Sequence, residues 1–207
     1  GLLPVTTIGG GASRGICGSG IIDLLAQMRR SGWIDMAGNL EPNASGHIVY
    51  LPDEGEYGVV YAHSETGSPL YFSQTDIRQY LDTKAAAYTM MECLMESAGI
   101  SFEELDHCYL SGAFPAHSDL ESAITIGIFP DLPREKYRVL RNSSLDGARK
   151  VLLDHSQLAE AKALLENIYC VQFASIPDFL VRMQAAKFIP HTDMNRFPSV
   201  QQKLSKK

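Results

Sequence analysis

The chain has 207 residues, 18 basic and 24 acidic side chains and a net charge of -6, with 45% hydrophobic and 20% charged residues. That is the composition of a compact globular chain and excludes fibrous, collagen-like and disordered classes. Its acidic balance offers no strongly positive field to a phosphate backbone, so nucleic acid is not an expected partner, and its apolar runs break too early to span a membrane.

Residues 1–14 begin on Gly1 and read as a linker-like start, which leads to the expectation of a piece of a longer protein. Ile21, Leu24, Leu25 and Met28 recur at helical spacing, predicting a helix over 19–30 capped by Ser19 and stopped by Gly32. The Gly-, Pro- and Asn-rich stretch 41–72 holds short β-prone runs at 47–50 and 57–61 and predicts a small antiparallel ribbon. Ser73-Gln-Thr-Asp76 has the capping-box pattern. After it Ile77, Leu81, Ala85, Tyr88, Met91, Met95 and Ala98 share one face up to Gly99, and Lys84 falls on nearly the same face. Further on, the sequence predicts a strand at 107–110, a helix opened by a capping box at 118–121 and a strand at 137–140. Helices around 148–153, 157–167 and 177–187, a strand around 169–173 and a frayed tail at 197–207 complete the reading. Alternating strands and helices argue an α/β class with a helix-covered sheet.

Cys17, Cys93, Cys108 and Cys170 form no CxxC pair and no metal-ligand spacing, so no metal site is expected. Most of them read as buried, reduced core residues of a cytoplasmic protein. The histidines lack local partners, and no catalytic residue is assigned. The strongest local signal occurs twice, at 109–114 and 139–148, where a strand runs through a Gly/Ser/Asn loop into a helix. Such loops lie at the carboxyl ends of strands, where free N–H groups and the helix dipole favour anionic, nucleotide-sized ligands. Gly112 would let a ligand approach the backbone, and Gly147 with Ala148 would let a helix begin unobstructed; small residues that merely permit tight turns are the competing reading. A third loop, 14–20, either presents Cys17 and Ser19 to a ligand or partner or simply caps and packs. Lys84 either snorkels to water or meets a ligand.

Taken in order, Gly15-Ile-Cys-Gly-Ser-Gly-Ile-Ile-Asp23, Gly32-Trp-Ile-Asp35, Asp76-Ile-Arg78 with Lys84-Ala-Ala86, Tyr109-Leu-Ser-Gly-Ala-Phe114 and Ile126-Gly-Ile-Phe-Pro130 resemble the C-terminal part of the reductive activators of corrinoid proteins. That family belongs to the actin, sugar-kinase and heat-shock-chaperone superfamily. The resemblance implies an RNase H-like, actin-like ATPase lobe with a mixed sheet flanked by helices, one compact C-terminal domain over 1–207 with the ribbon as an insertion. It implies ATP-driven reduction of cob(II)alamin to cob(I)alamin on a corrinoid protein partner, and a possible homodimer. It assigns Gly112, Ala113 and Phe114 to adenosine, Lys84 to the nucleotide, Asn142 through Ala148, with Gly147 among them, to a second connecting segment at the nucleotide, and Cys17 and Ser19 to the partner. Phosphate loops of the Asp-x-Gly-Thr type and a cluster-binding cysteine set are missing from these residues. ATP with magnesium and an iron–sulfur cluster are therefore expected to depend on an N-terminal part, and the isolated chain to be inactive. An actin-like-fold kinase, an activator of 2-hydroxyacyl-CoA dehydratases, and a non-catalytic interaction domain remain the alternatives.

Overall fold

The computed structural model describes residues 5–205. Residues 5–14 carry turns but no helix or strand, and the rest of the linker-like start lies outside the described residues. Helix α1 spans Gly18–Ser31 and ends where Gly32 adopts φ 73°, a left-handed conformation that costs glycine little. The N–H groups of Gly32 and Trp33 then donate to the Arg29 and Met28 carbonyls. Ile22, Leu25 and Met28 are fully buried on one face.

The ribbon has three antiparallel strands, β1 (Ile48–Leu51), β2 (Glu56–His63) and β3 (Pro69–Ser73), in the order β1-β2-β3. Ile48, Val59 and Phe72 face one another across it and are buried together. The third strand escapes sequence reading because it opens on Pro69, a residue tolerated only at a strand's start or edge. Ser73 and Asp76 then form the expected capping box and start helix α2, Gln74–Ala98. At 25 residues it is about 37 Å long, enough to serve two cores. Ile77 and Leu81 pack with α1 and the ribbon, while Ala85 and Tyr88 pack with Leu132, Tyr137, Phe197 and Val200.

Strand β4 (Cys108–Ser111) leads into the short helix α3 (Ala113–His117) and then α4 (Leu120–Ile126). Strand β5 (Tyr137–Leu140) pairs in parallel with β4 and leads into α5 (Ser143–Leu153), α6 (Ser156–Leu165), α7 (Phe179–Ala186) and α8 (Pro198–Leu204). The strands thus fall into a ribbon and a separate parallel pair.

Several expectations need correction. Cys17, not Ser19, is the N-cap of α1, and Asp119, not Ser118, caps α4: its Oδ1 accepts from Ser122 N at 2.7 Å, while the Ser118 hydroxyl donates to the Phe114 carbonyl. Residues 169–173 form no strand, since β-prone side chains make one only where a sheet edge receives them. Cys93 alone is buried; Cys17 and Cys170 are exposed and Cys108 is half-buried. The tail does not fray over 197–204, because Phe197 and Val200 are buried and Asp131 Oδ2 accepts from Ser199 N at 2.7 Å; residues 206–207 lie outside the described residues.

Arg134 fastens this C-terminal helix to α4. Its Nε and Nη2 donate to the two Glu121 oxygens at 2.5 and 3.1 Å, its Nη1 to Asp131 at 2.7 Å, and its Nη2 also to the Ser199 hydroxyl at 2.8 Å; Lys203 adds a contact to Glu121. Hydrogen bonds from Arg134, then from Lys203, pull the Glu121 carboxyl from 4.5 down to about 2. A depressed carboxylate contributes stability that is complete above its unfolded value and lost as pH falls through its folded one. Glu121→Gln should therefore lower stability at neutral pH by about 1 kcal/mol after solvent screening, roughly 2–4 °C in melting temperature. It should also flatten the loss that the parent shows between pH 4.5 and 2; melting curves of equal pH slope would contradict this role.

Candidate functional site

The carboxyl ends of β4 and β5 lie side by side and are tied across. Gly112 N donates to the Arg141 carbonyl at 2.9 Å, and the hydroxyls of Ser111 and Ser143 are hydrogen-bonded at 2.5 Å. Gly112 holds φ 106°, a conformation that effectively demands glycine, and no atom lies within 4 Å of where a side chain would begin, so its backbone faces open space. On the neighbouring loop the Asn142 side chain accepts from Leu145 N at 3.0 Å, capping α5 and directing that helix's N-terminus at the same shelf.

The third loop joins them through an aromatic contact. A side chain on Gly18 would begin 2.8 Å from the Phe114 ring, so only glycine lets the ring rest on the start of α1. Cys17, Ser19, Gly112, Ala113, Phe114 and Asn142 therefore belong to one surface. Gly147 does not mark the start of its helix: α5 begins four residues earlier at Ser143, and Gly147 lies within it. On this surface Cys17 Sγ is 3.2 Å from the Ser19 hydroxyl. That contact, followed by the Gly20 backbone, lowers the thiol's pKa at the exposed N-terminus of α1. Two cavities lie elsewhere, along the second half of α2 beside Glu92, Glu96 and Arg196, with volumes near 310 and 250 Å³.

Lys84 departs most from expectation. It is 0% exposed and reaches neither water nor the shelf: Nζ donates to the carbonyls of Ala186, Phe188 and Pro190 at 2.5, 2.7 and 2.5 Å. An ammonium has three N–H donors and all are used, leaving none for a phosphate. Burial pushes its pKa down to about 7. The three acceptors favour the charged form, since a neutral amine would turn a lone pair on one carbonyl. His191, also buried, has its pKa lowered by burial and then by the Lys84 charge, and its Nδ1 accepts from Asp193 N.

Residues 3–201 match the family described as the C-terminal domain of RACo, the ASKHA domain. The chain belongs to this family. A solved structure titled reductive activator for corrinoid, iron-sulfur protein superposes on this ASKHA domain with a TM-score of 0.84 and 34% identity, covering 93% of the chain and 31% of that protein. Among curated relatives, the corrinoid activation enzyme RamQ of Eubacterium limosum is 28% identical over 189 residues, 87% of this chain and 32% of that protein. The Co(II) methylated amine-specific corrinoid protein reductase of Methanosarcina barkeri is 26% identical over 154 residues, 74% of this chain and 25% of that protein. The chain thus spans about a third or less of the length of these relatives, and its fold is the α/β ASKHA type.

Sequence reasoning misses Gly18, Ser111 and Ser143 as the residues that join the three loops. The Gly15, Gly18, Gly20 spacing is the signal that could have shown a close approach there. It also misses Gly127, whose side chain would begin 2.2 Å from the Pro190 carbonyl oxygen and which has φ 77°. Lys84→Met in the ASKHA domain leaves three buried carbonyls without donors and should cost about 3–5 kcal/mol, a fall of about 10 °C or more in melting temperature. An unchanged melting temperature with lost nucleotide affinity would instead place the ammonium at the ligand.

Proposed function

We propose that residues 1–207 are the C-terminal domain of a longer ATP-dependent reductive activator, and that the shelf between β4 and β5 is the adenosine side of its nucleotide site. The carrying observation is the convergence of three loops on open space over Gly112, fixed by the Gly112–Arg141 and Ser111–Ser143 hydrogen bonds. The relatives that share this domain are named for corrinoid activation or reduction, which favours this reading over an actin-like-fold kinase or a dehydratase activator.

The shelf suits a nucleoside. Glycine backbone at φ 106° allows a base or ribose to lie against the chain, Phe114 gives an apolar edge, and the N-terminus of α5 favours the electronegative side of the ligand. Among the described residues no three His, Cys, Asp or Glu side chains gather as a metal-ligand set, and we assign the phosphate and magnesium contacts to the longer polypeptide. In the longer protein ATP would supply the driving free energy, and an iron–sulfur cluster the electron, for converting Co(II) to Co(I) on a corrinoid protein. This chain's part is to hold the nucleoside and, through Cys17 and Ser19 on the exposed start of α1, to meet the corrinoid protein. Four free cysteines accord with a reducing, cytoplasmic setting, and no described helix is long and apolar enough to cross a membrane.

Isothermal titration with ATP and magnesium tests this division of labour. The 207-residue chain should bind far more weakly than the longer polypeptide and show no steady turnover, and Gly112→Val in the longer polypeptide should weaken ATP binding at least tenfold while corrinoid-protein binding persists. Micromolar affinity with turnover by the chain alone, or unchanged affinity in Gly112→Val, would refute it.

A further inference from the structure

The net charge of the chain is not spread evenly. Residues 31–77, from the end of α1 to the first turn of α2, hold seven of the 24 acidic side chains and none of the 18 basic ones, which leaves 17 acidic against 18 basic in the rest. The ribbon and its flanks therefore account for the whole net charge of -6. Glu41, Asp53, Glu54 and Glu65 are exposed, and among the described residues no ion pair includes any of the seven. Tyrosines gather at the β1–β2 turn within this field. Tyr50 and Tyr57 are cross-strand partners with ring centroids 5.4 Å apart, 53% and 39% exposed, and the Tyr71 hydroxyl donates to Glu54 at 2.6 Å. Tyrosine is among the side chains that most often anchor a protein contact, and here the edge-to-face pair and the hydroxyl–carboxylate bond hold the rings before any partner arrives. The surrounding carboxylates set the sign of the partner.

We infer that the β1–β2 end of the ribbon docks a lysine- and arginine-bearing face of the corrinoid protein. The inference rests on the functional reading above and deepens it, adding a second contact to that of Cys17 and Ser19. The two are continuous: Ile16, beside Cys17, packs against the same buried cluster as Ile48, Val59 and Phe72, so the loop at the start of α1 and the ribbon stand on one core. A face covered permanently by other chain is more apolar, as obligate interfaces are. Exposed carboxylates act instead on the rate of encounter and are screened by salt, which suits a partner that arrives, is reduced and leaves. The same sign opposes nucleic acid and an anionic membrane surface. A second copy meeting the ribbon through its own ribbon would set like charges against like.

Binding kinetics between the longer polypeptide and the corrinoid protein whose Co(II) it reduces test this. Asp53→Lys with Glu54→Lys should slow association about tenfold at about 50 mM KCl, and most of the difference should vanish at about 500 mM, while melting temperature and ATP affinity match the parent. Tyr50→Ala should raise the dissociation rate about fivefold. Glu160→Lys with Glu166→Lys, the same change of charge on α6, should associate like the parent. Equal association by the ribbon variant and the parent, or an equal loss in the α6 variant, overturns the inference. So does salt-sensitive self-association of the 207-residue chain that the ribbon variant abolishes, which would make a second copy the occupant. A melting temperature lowered in the longer ribbon variant but not in the 207-residue one also overturns it, since the ribbon would then be covered by the rest of the activator. Each of these can occur while the parent still binds the corrinoid protein and ATP; failure of the functional reading shows instead as no corrinoid-protein binding by the parent.

Discussion

The ammonium of Lys84 sits where four stretches of chain meet, and the arrangement of the helices depends on it. From α2 it gathers the carbonyls of Ala186, Phe188 and Pro190 into one cradle. The Gly127 turn at the end of α4 comes so near Pro190 that no side chain could stand there. From α1, Arg29 Nε donates to the Ile189 carbonyl at 3.3 Å, and Ile189 N donates to the Met36 carbonyl at 2.8 Å. A buried charge without acceptors is among the costliest defects a core can carry, so once Lys84 is inside, residues 186–190 have little freedom to be elsewhere.

That constraint reaches the shelf through the helices it fixes. α1 and α4 pack together, and the N-terminus of α1 is where Gly18 receives Phe114. The loops after β4 and β5 add three hydrogen bonds between themselves and bury little, and no side chain of α5 or α6 is buried. The molecule therefore has a rigid half, built on α1, α2, α4 and the C-terminal segment. Its sparsely packed half carries the shelf between β4 and β5 that we propose as the nucleoside site. Binding surfaces belong on such less stable elements, provided something rigid holds their start.

Much of the rigid half was legible in the sequence. The apolar stripes of α1 and α2, the Ser73 capping box and the glycine stops at 32 and 99 are local signals and appear where spacing puts them. The shelf was legible in part. Gly112 and Asn142 announce themselves as loop residues, but Asn142 caps a helix that begins five residues before the expected 148, and the Ser111–Ser143 bond and the Gly18–Phe114 contact join residues 32 and 96 apart, which no spacing encodes. Lys84 was placed correctly on the buried face, yet its partners lie more than 100 residues away, so sequence left water or a ligand as the choices and the carbonyl cradle was out of view. The tail misled for a related reason. Its Gln and Lys residues look solvated, while Phe197, Val200 and the Asp131–Ser199 bond hold it in place.

We propose that a nucleoside lies against the two strand-to-helix loops and that chain beyond these 207 residues meets the phosphates. Photolabelling the longer polypeptide with an azido-adenine analogue of ATP and mapping the modified peptides tests that placement directly. Label is expected in peptides spanning residues 109–118 and 139–148 of this domain, suppressed by excess ATP. Label confined to peptides outside these 207 residues, with the same protection by ATP, would contradict it.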